Sequence, residues 1–479
     1  MPFSWNTLLF KRREDDKAII SLLFYTLVGM FKWIADSVAW FSKWVWDWPL
    51  LVLVIGGGLF LLLYSKGIPF LYFRHAVKIL LGRYDSDQDS GELSHFQALT
   101  SALAATVGMG NISGVAVAIV AGGPGAVFWM WMSAIVGMAT KFYTCTLAVL
   151  YRKDDGDGNV QSGPMYVITQ GLGQYWKPLA ILFALAGLIG TLPAFTVNQL
   201  TQTLVDVLER NEADRWYIGF ALAALSAVVI FGGIKRIANV ASRLVPAMVV
   251  LYFFTVITIL VMRFEEIPAM FSLIFSDAFS GKAIAGGTLG SLIKTGVKRA
   301  AFSNEAGVGT APMMHGMAKT NEPIREGLVA MIGPAIDTMV VCTLTALTIL
   351  VTGVWQNTES NGISLTLDAF NSVLPYGLGD LIVLFMVLVF ACSTLFSYSY
   401  YGTSCLGFLT QPKYGKYYNY IYVGSIVISA VVKIDFAINL IDGAFALMAI
   451  PTIISTLILA PKVNQKAKTY FKKLASVEI

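Results

Sequence analysis

Along this chain the apolar positions do not alternate with polar ones. They run on for about twenty residues at a time and are then cut by short polar or Gly/Pro marks, such as Asp154-Asp155-Gly156-Asp157-Gly158. A run of ~20 apolar residues is the length that crosses the hydrocarbon of a bilayer as a helix. Eleven segments fit that description, at about 49–65, 97–120, 125–150, 178–206, 216–233, 239–262, 286–317, 325–353, 377–411, 417–432 and 436–460. The pattern therefore predicts an all-α polytopic membrane protein with about eleven spans.

Two of these segments are interrupted near their middles. In 97–120 the run Thr106-Val107-Gly108-Met109-Gly110-Asn111-Ile112-Ser113-Gly114 puts three glycines among polar residues, and in 286–317 the run Phe302-Ser303-Asn304-Glu305-Ala306-Gly307-Val308-Gly309-Thr310 puts two glycines among four such residues. An unbroken helix carrying Asn-Glu through hydrocarbon is costly. An unwound stretch facing a polar cavity is not, because its freed amides and carbonyls bind solute or ion. The runs fall in the first and sixth of the ten helices after 49–65, and matched breaks in two halves point to an inverted-repeat transporter. Half-helix N-termini suit a carboxylate, and unwound carbonyls suit a desolvated sodium ion. Close packing of small residues between helices is the alternative reading of either run alone.

Composition sharpens this picture. The 479 residues are 56% apolar and only 13% charged, with mean hydropathy +0.68, against about 25% charged in soluble domains. A water-facing globule of this size is excluded. The net charge of +5 is no nucleic-acid signal, because its excess sits in loops. Nineteen Lys and Arg lie in one set of alternate loops and the tail, and five in the other set. The richer side is expected to be cytoplasmic, with the C-terminus inside. Eleven spans then leave the N-terminus outside, against the pull of Lys11-Arg12-Arg13. Residues 19–41 are read as an interfacial helix with Trp33, Trp40, Trp44, Trp46 and Trp48 at headgroup level, or else as a twelfth span. The N-terminal stretch carries no small-residue cleavage site. Cys145, Cys342, Cys392 and Cys405 sit in apolar segments without metal-site spacing and are read as buried thiols. His75, His95 and His315 have no suitable neighbour by spacing for a metal or a nucleophile, so an enzyme is not expected.

The stretch Gly122-Gly123-Pro124-Gly125-Ala126-Val127-Phe128-Trp129-Met130-Trp131, then Gly137-Met138-Ala139-Thr140-Lys141-Phe142, resembles the alanine/glycine:cation symporter family. So do the second broken run and Ile336-Asp337-Thr338. The similarity extends from about residue 45 to 460. It implies a LeuT-like fold of the amino acid–polyamine–cation superfamily, a 5+5 inverted repeat with one leading transmembrane helix. The implied division is an N-terminal extension (1–45), a leading helix and cytoplasmic connector (46–95), a first repeat (96–262), a second repeat (263–460) and a basic cytoplasmic tail (461–479).

The resemblance also implies sodium-driven uptake of a small neutral amino acid by alternating access across a bacterial inner membrane, by a monomer, with Na+ as coupling ion and no cofactor. Matching positions place Gly108, Met109, Gly110 and Asn111 at the substrate carboxylate, Gln199 at a substrate-contacting glutamine, Phe302 at an aromatic wall, and Thr394 and Tyr398 in the pocket. By the wider fold's pattern the carbonyls of Ala104 and Val107 join the hydroxyls of Ser393 and Thr394 around sodium, an oxygen-only set. Three positions depart from the family: Met109 for threonine, Tyr398 for tryptophan and Thr144 for glutamate. Alanine or glycine is the first expectation, with a larger neutral amino acid such as glutamine, or an uncoupled or proton-coupled permease, as the alternative. Glu305 is read as accepting amide hydrogen bonds within the second break. Asp337 is left between cation ligand and structural partner, Lys141 is read as snorkelling or paired with an acid, Lys298 and Arg299 as an outer gate or a packing pair, and Gln202 as making a helix–helix hydrogen bond. Asp442 has no assigned role.

Overall fold

A computed structural model describes residues 30–477 apart from 31, 47, 87, 155–159, 280–287, 357–359 and 376. The basic cluster at 11–13 and the first part of the predicted N-terminal extension lie outside the described residues, as does part of the acidic punctuation at 154–158. Within them, a helical stretch stands at each of the eleven predicted places. In chain order the principal helices are α1 (Lys32–Val45) and α2 (Pro49–Tyr64), then α3 (Phe73–Leu80), α4 (His95–Thr106), α5 (Met109–Gly122) and α6 (Ala126–Leu150). Next come α7 (Lys177–Gly190), α8 (Ala194–Val207), α9 (Arg215–Ile230) and α10 (Gly233–Met262). They are followed by α11 (Ile267–Ala278), α12 (Thr288–Asn304), α13 (Thr310–His315) and α14 (Pro323–Thr352). The last four are α15 (Ile363–Asn371), α16 (Leu378–Leu409), α17 (Tyr418–Val431) and α18 (Ile434–Val477).

Solvent preference separates these helices. Of the most apolar window of α6, 89% is buried inside the protein, against 33% for α10 and 28% for α9. Both outer helices display large apolar side chains, among them Phe220, Leu225, Val228, Phe253 and Phe254. A continuous apolar surface of that extent is stable only against lipid. Around the buried centre, α10 packs on α4 and α16, α12 packs on α5 and α6, and α7 packs on α18.

The two interruptions are real. α4 and α5 meet at an angle of 42°. α4 starts in a capping box, with Ser94 accepting from the Gln97 amide and Gln97 accepting from the Ser94 amide, both at 3.1 Å. α12 and α13 are separated by residues 305–309, in which Glu305, Gly307 and Gly309 take left-handed φ of 53°, 89° and 104°. A non-glycine residue there is unusual and marks a backbone held by its surroundings.

Some elements differ from the sequence reading. The segment 178–206 divides into α7 and α8 at Thr191–Pro193, because proline cannot continue the hydrogen-bond ladder. The basic tail is not a separate segment: α18 continues through it to Val477, anchored by Tyr470 to His75 (2.8 Å) and by Phe471 stacked on Tyr72. Short helices α11 and α15 lie in what reads as connecting sequence. α1 meets α2 at 50°, exposing Trp33, Trp40 and Trp44 while burying Trp46.

Candidate functional site

The site grows out of the two breaks. In the first, α4 ends at Thr106 and Gly108 opens α5. A Cβ on Gly108 would stand 2.4 Å from Thr394 Oγ1, so glycine lets α16 approach the unwound backbone directly. Asn111 holds the break shut from within: its Oδ1 accepts from the Gly108 amide (3.0 Å) and its Nδ2 donates to the Asp337 carboxylate (2.7 Å). Its backbone carbonyl accepts from Thr345 (2.7 Å).

The second break is tied differently from the sequence reading. Glu305 does not cap amides. Its carboxylate accepts from the hydroxyls of Thr310 and Tyr398, while the amide of Ala306 is taken by the side chain of Asn304 (2.9 Å). The left-handed turn at Glu305 points the acid away from its own following amides and toward α13 and α16. The Val308 carbonyl accepts from Thr452 of α18 (3.1 Å).

Asp337 joins the two breaks. It lies in a π-helical segment of α14, Ala335–Cys342, and its carboxylate accepts from Asn111 of the first break, Ser303 of the second (2.7 Å) and Thr338 (2.8 Å). Asn304 in turn donates to Thr338 (3.0 Å). An intramembrane acid so fully hydrogen-bonded is a structural partner of both breaks. Of these partners the sequence singled out Asn111 and the Ile-Asp-Thr run. Ser303 stood in the second broken run without a role, Thr345 was missed, and a widened helical turn at 335–342 carries no composition signal that would have exposed the network.

Between the breaks and α16 lies a small cleft. Gly108, Met109, Gly110, Phe302, Thr394 and Tyr398 line it, together with Phe195, Leu192 and Ile441. Phe302 stands edge-on to Phe195 at 4.9 Å. The arrangement does not bring Asn111 or Gln199 to the cleft wall. Asn111 is consumed by Gly108 and Asp337, and the Gln199 side-chain oxygen accepts from Ser113 (2.5 Å). Beside the cleft, Ser393 donates to the Ala104 carbonyl (3.2 Å) and to Phe390 (2.8 Å), and Thr394 donates to Phe390 (3.1 Å). Ala104 and Val107 are both fully buried. Each hydroxyl spends its proton on a carbonyl and keeps its lone pairs, so the donors here are oxygens alone, the chemistry of a hard cation.

The remaining polar residues settle around this centre. Lys298 (2.6 Å) and Arg299 (2.9 Å) both pair with Asp442, whose backbone carbonyl accepts from the Trp46 indole (2.7 Å). Arg299 also lies over the Phe302 ring. Gln202 accepts from Arg215 of α9, a helix–helix bond as expected. Lys141 is 2% exposed, and among the described residues no carboxylate lies within ion-pair distance of it. All four cysteines are free and buried, and no group of three or more His, Cys, Asp or Glu is placed to hold a metal among the described residues. The histidines correct the sequence reading. His95 and His315 both donate to Glu326, an acid 231 and 11 residues away.

Known proteins bear on this arrangement. The family model described as the sodium:alanine symporter family matches residues 31–478. The chain is 39% identical over 437 residues to the sodium/alanine symporter AgcS of Methanococcus maripaludis, covering 90% of this chain and 95% of that one. It is 38% identical over 443 residues to an uncharacterized transporter of Haemophilus influenzae, with 90% and 95% covered. A Bacillus subtilis protein named "Probable sodium/glutamine symporter GlnT" is 34% identical over 433 residues, with 90% and 89% covered. Among solved structures, MhsT in complex with L-phenylalanine superposes with a TM-score of 0.56 at 14% identity, over 78% of this chain and 98% of that one. That likeness speaks to the fold, which is LeuT-like. Sodium and an amino acid are the solutes this family carries, and its members are multi-pass membrane transporters. The chain belongs to the sodium:alanine symporter family.

Proposed function

We propose that the protein imports alanine or glycine with sodium by alternating access. The end of the bundle bearing the basic loops and α18's C-terminus faces the cytoplasm of a bacterial inner membrane. One chain suffices, since both breaks and α16 come from the same chain. The observation that carries the reading is the convergence of Gly108 and Ala104 on Thr394 and Ser393.

Sodium binds between α4 and α16 on the carbonyls of Ala104 and Val107 and the hydroxyls of Ser393 and Thr394. It replaces the hydrogen bond from Ser393 to Ala104 and fixes the unwound backbone beside it. The amino acid binds next, its carboxylate on the free amides at Met109 and Gly110, where the positive end of α5 points. Asn111 acts by holding the Gly108 turn that presents those amides, and Gln199 by fixing α8 to Ser113. The side chain enters a space bounded by Met109, Phe195, Phe302 and Tyr398, apolar and small, which supports a methyl or hydrogen over a longer group. Only the filled site favours closure, and the membrane potential adds ~2.3 kcal/mol per charge per 100 mV. No covalent step is required.

Glutamine is the second reading, supported by the hydroxyl that Tyr398 puts in place of a larger indole. Purified protein in liposomes, given labelled alanine, glycine and glutamine with and without an inward sodium gradient, tests both. Sodium-dependent accumulation of alanine or glycine supports the first, and of glutamine alone the second. Accumulation of none by folded protein removes the substrate class.

A further inference from the structure

Three titratable side chains that the transport cycle above does not use meet at the basic end of the bundle. The carboxylate of Glu326, on the first turn of α14, accepts from His95 through one oxygen and from His315 through the other. All three are 0–1% exposed. His95 is the first residue of α4 and His315 the last of α13, so the cluster joins the outer ends of both broken helices at one acid. The same junction is zipped by backbone: the amides of Glu92 and Leu93 donate to Met317 (2.8 and 3.1 Å), and Lys319 donates to Leu93 (2.6 Å). Arg152 clamps it from α6's end through the carbonyls of Ala318 and Thr320 (2.7 Å each). No opening of α4 away from α13 leaves the cluster intact.

The charge of the cluster decides how many protons it holds. With Glu326 ionised and both imidazoles neutral, the buried trio carries −1. With one imidazolium it is neutral, and with two it carries +1. Charged groups of both signs lie around it among the described residues: Arg325 and Asp85 act on His95, Arg152 faces Glu326 with Asp89 beside it, and Cys145 also faces Glu326. A net charge without compensation is expensive in this interior. The orphaned Nε2 atoms of both rings, which have no partner, make a second imidazolium costlier still, since it would bury an unpaired N–H.

We propose that His95, Glu326 and His315 form a proton-binding gate at the cytoplasmic end, which holds one proton when closed and exchanges it with the cytoplasm when the two broken helices part. The inference rests on the orientation given above, but not on the substrate. A carboxylic acid in water has an ordinary pKa of about 4.3, and an imidazole one of about 6.5. Above that pH the open gate holds fewer than one proton, so alkalinity favours opening. Below it the open gate holds more than one, so acidity favours opening too. Closure is therefore tightest near pH 6.5, and opening grows by about twentyfold between pH 7 and 8.5 by linkage.

The test reads opening at Leu93, which is 1% exposed inside the junction. In inverted vesicles, with the basic end outward and sodium held constant, Leu93→Cys is labelled with an impermeant maleimide from pH 5.5 to 8.5. Its rate is divided by that of exposed Ser476→Cys, which removes the intrinsic pH dependence of the reagent. The expected ratio is lowest near pH 6.5 and rises about twenty-five-fold by pH 8.5, and the added change His95→Gln with His315→Gln flattens it. A flat ratio in the chain with both histidines present overturns the proposal without recourse to any histidine variant, and so does an undiminished rise in the double variant. Failure of amino-acid uptake alongside the expected labelling profile would overturn the substrate reading and leave the gate standing.

Discussion

The hydroxyl of Tyr398 donates to the carboxylate of Glu305, linking straight helix α16 to the unwound stretch between α12 and α13. The link is specific to this chain's side chains: an indole at 398 has its N–H elsewhere and cannot reproduce the phenol's reach. Tyr398 thus both lines the cleft and holds the second break.

Tyr398→Phe separates those two tasks. The ring remains as cleft wall, while Glu305 keeps only Thr310 as a hydroxyl donor. A hydrogen bond to a charged or buried acid contributes about 1.5–3 kcal/mol, so the apparent affinity for the transported amino acid is expected to fall by about tenfold or more, with substrate order unchanged. Tyr398→Trp is expected to change the order, narrowing uptake toward alanine and glycine. Competition of a neutral amino-acid panel against labelled alanine measures both.

Removing the cation oxygens gives a different signature. Ser393→Ala with Thr394→Ala deletes two oxygen donors beside Ala104 and trims the cleft wall only at Thr394. The sodium concentration for half-maximal uptake should rise by at least about tenfold, the equivalent of ~1.4 kcal/mol. Sodium titration of uptake at fixed amino acid decides, and an unchanged half-saturation in well-expressed protein rejects the assigned cation site.

Asp337→Ala strands three donors, from Asn111, Ser303 and Thr338, in a dry interior. Breaking a buried charged network by removing one partner costs about 3–5 kcal/mol. Thermal unfolding in detergent should shift down by several degrees and uptake should fall to background. Asp337→Asn is expected to lie between, since its amide keeps one acceptor but turns the other toward donors.

Glycines in the first broken helix offer a matched pair. A Cβ at Gly108 meets Thr394 Oγ1 at 2.4 Å, while at Gly114 it meets nothing within 4 Å. Gly108→Ala should abolish uptake, and Gly114→Ala should preserve it, with unfolding unchanged or slightly raised because alanine is the better helix former. Equal effects of the two would mean that α16 does not rest on the break.

What the chain discloses before any coordinates follows from what is local. Long apolar runs reveal the helices, and Gly108, Gly110, Gly307 and Gly309 among Asn and Glu reveal both breaks, since each signal sits within a few turns. The partners of those breaks are not local. Asp337 reaches Asn111 across 226 residues, and Glu326 reaches His95 across 231, so neither pairing leaves a spacing to be found. Glu305 illustrates a subtler limit. Its identity promises an acceptor, but only its left-handed φ decides that hydroxyls rather than amides are in reach. Asn111 and Gln199 carry the right chemistry for a ligand, yet Asp337 and Ser113 claim them first.

α18 spans 44 residues, about 66 Å at helical rise, roughly twice the ~30 Å thickness of the hydrocarbon. Its first half touches the second break and α12 through Thr452 on Val308 and Asp442 on Arg299, and its far half packs Tyr470 against His75 of α3. The helix is thus a dipstick, set against the cleft through Ile441 at one end and reaching well past a single hydrocarbon thickness at the other. One continuous helix thereby ties the cleft-side contacts of Asp442 and Thr452 to the His75–Tyr470 contact on α3.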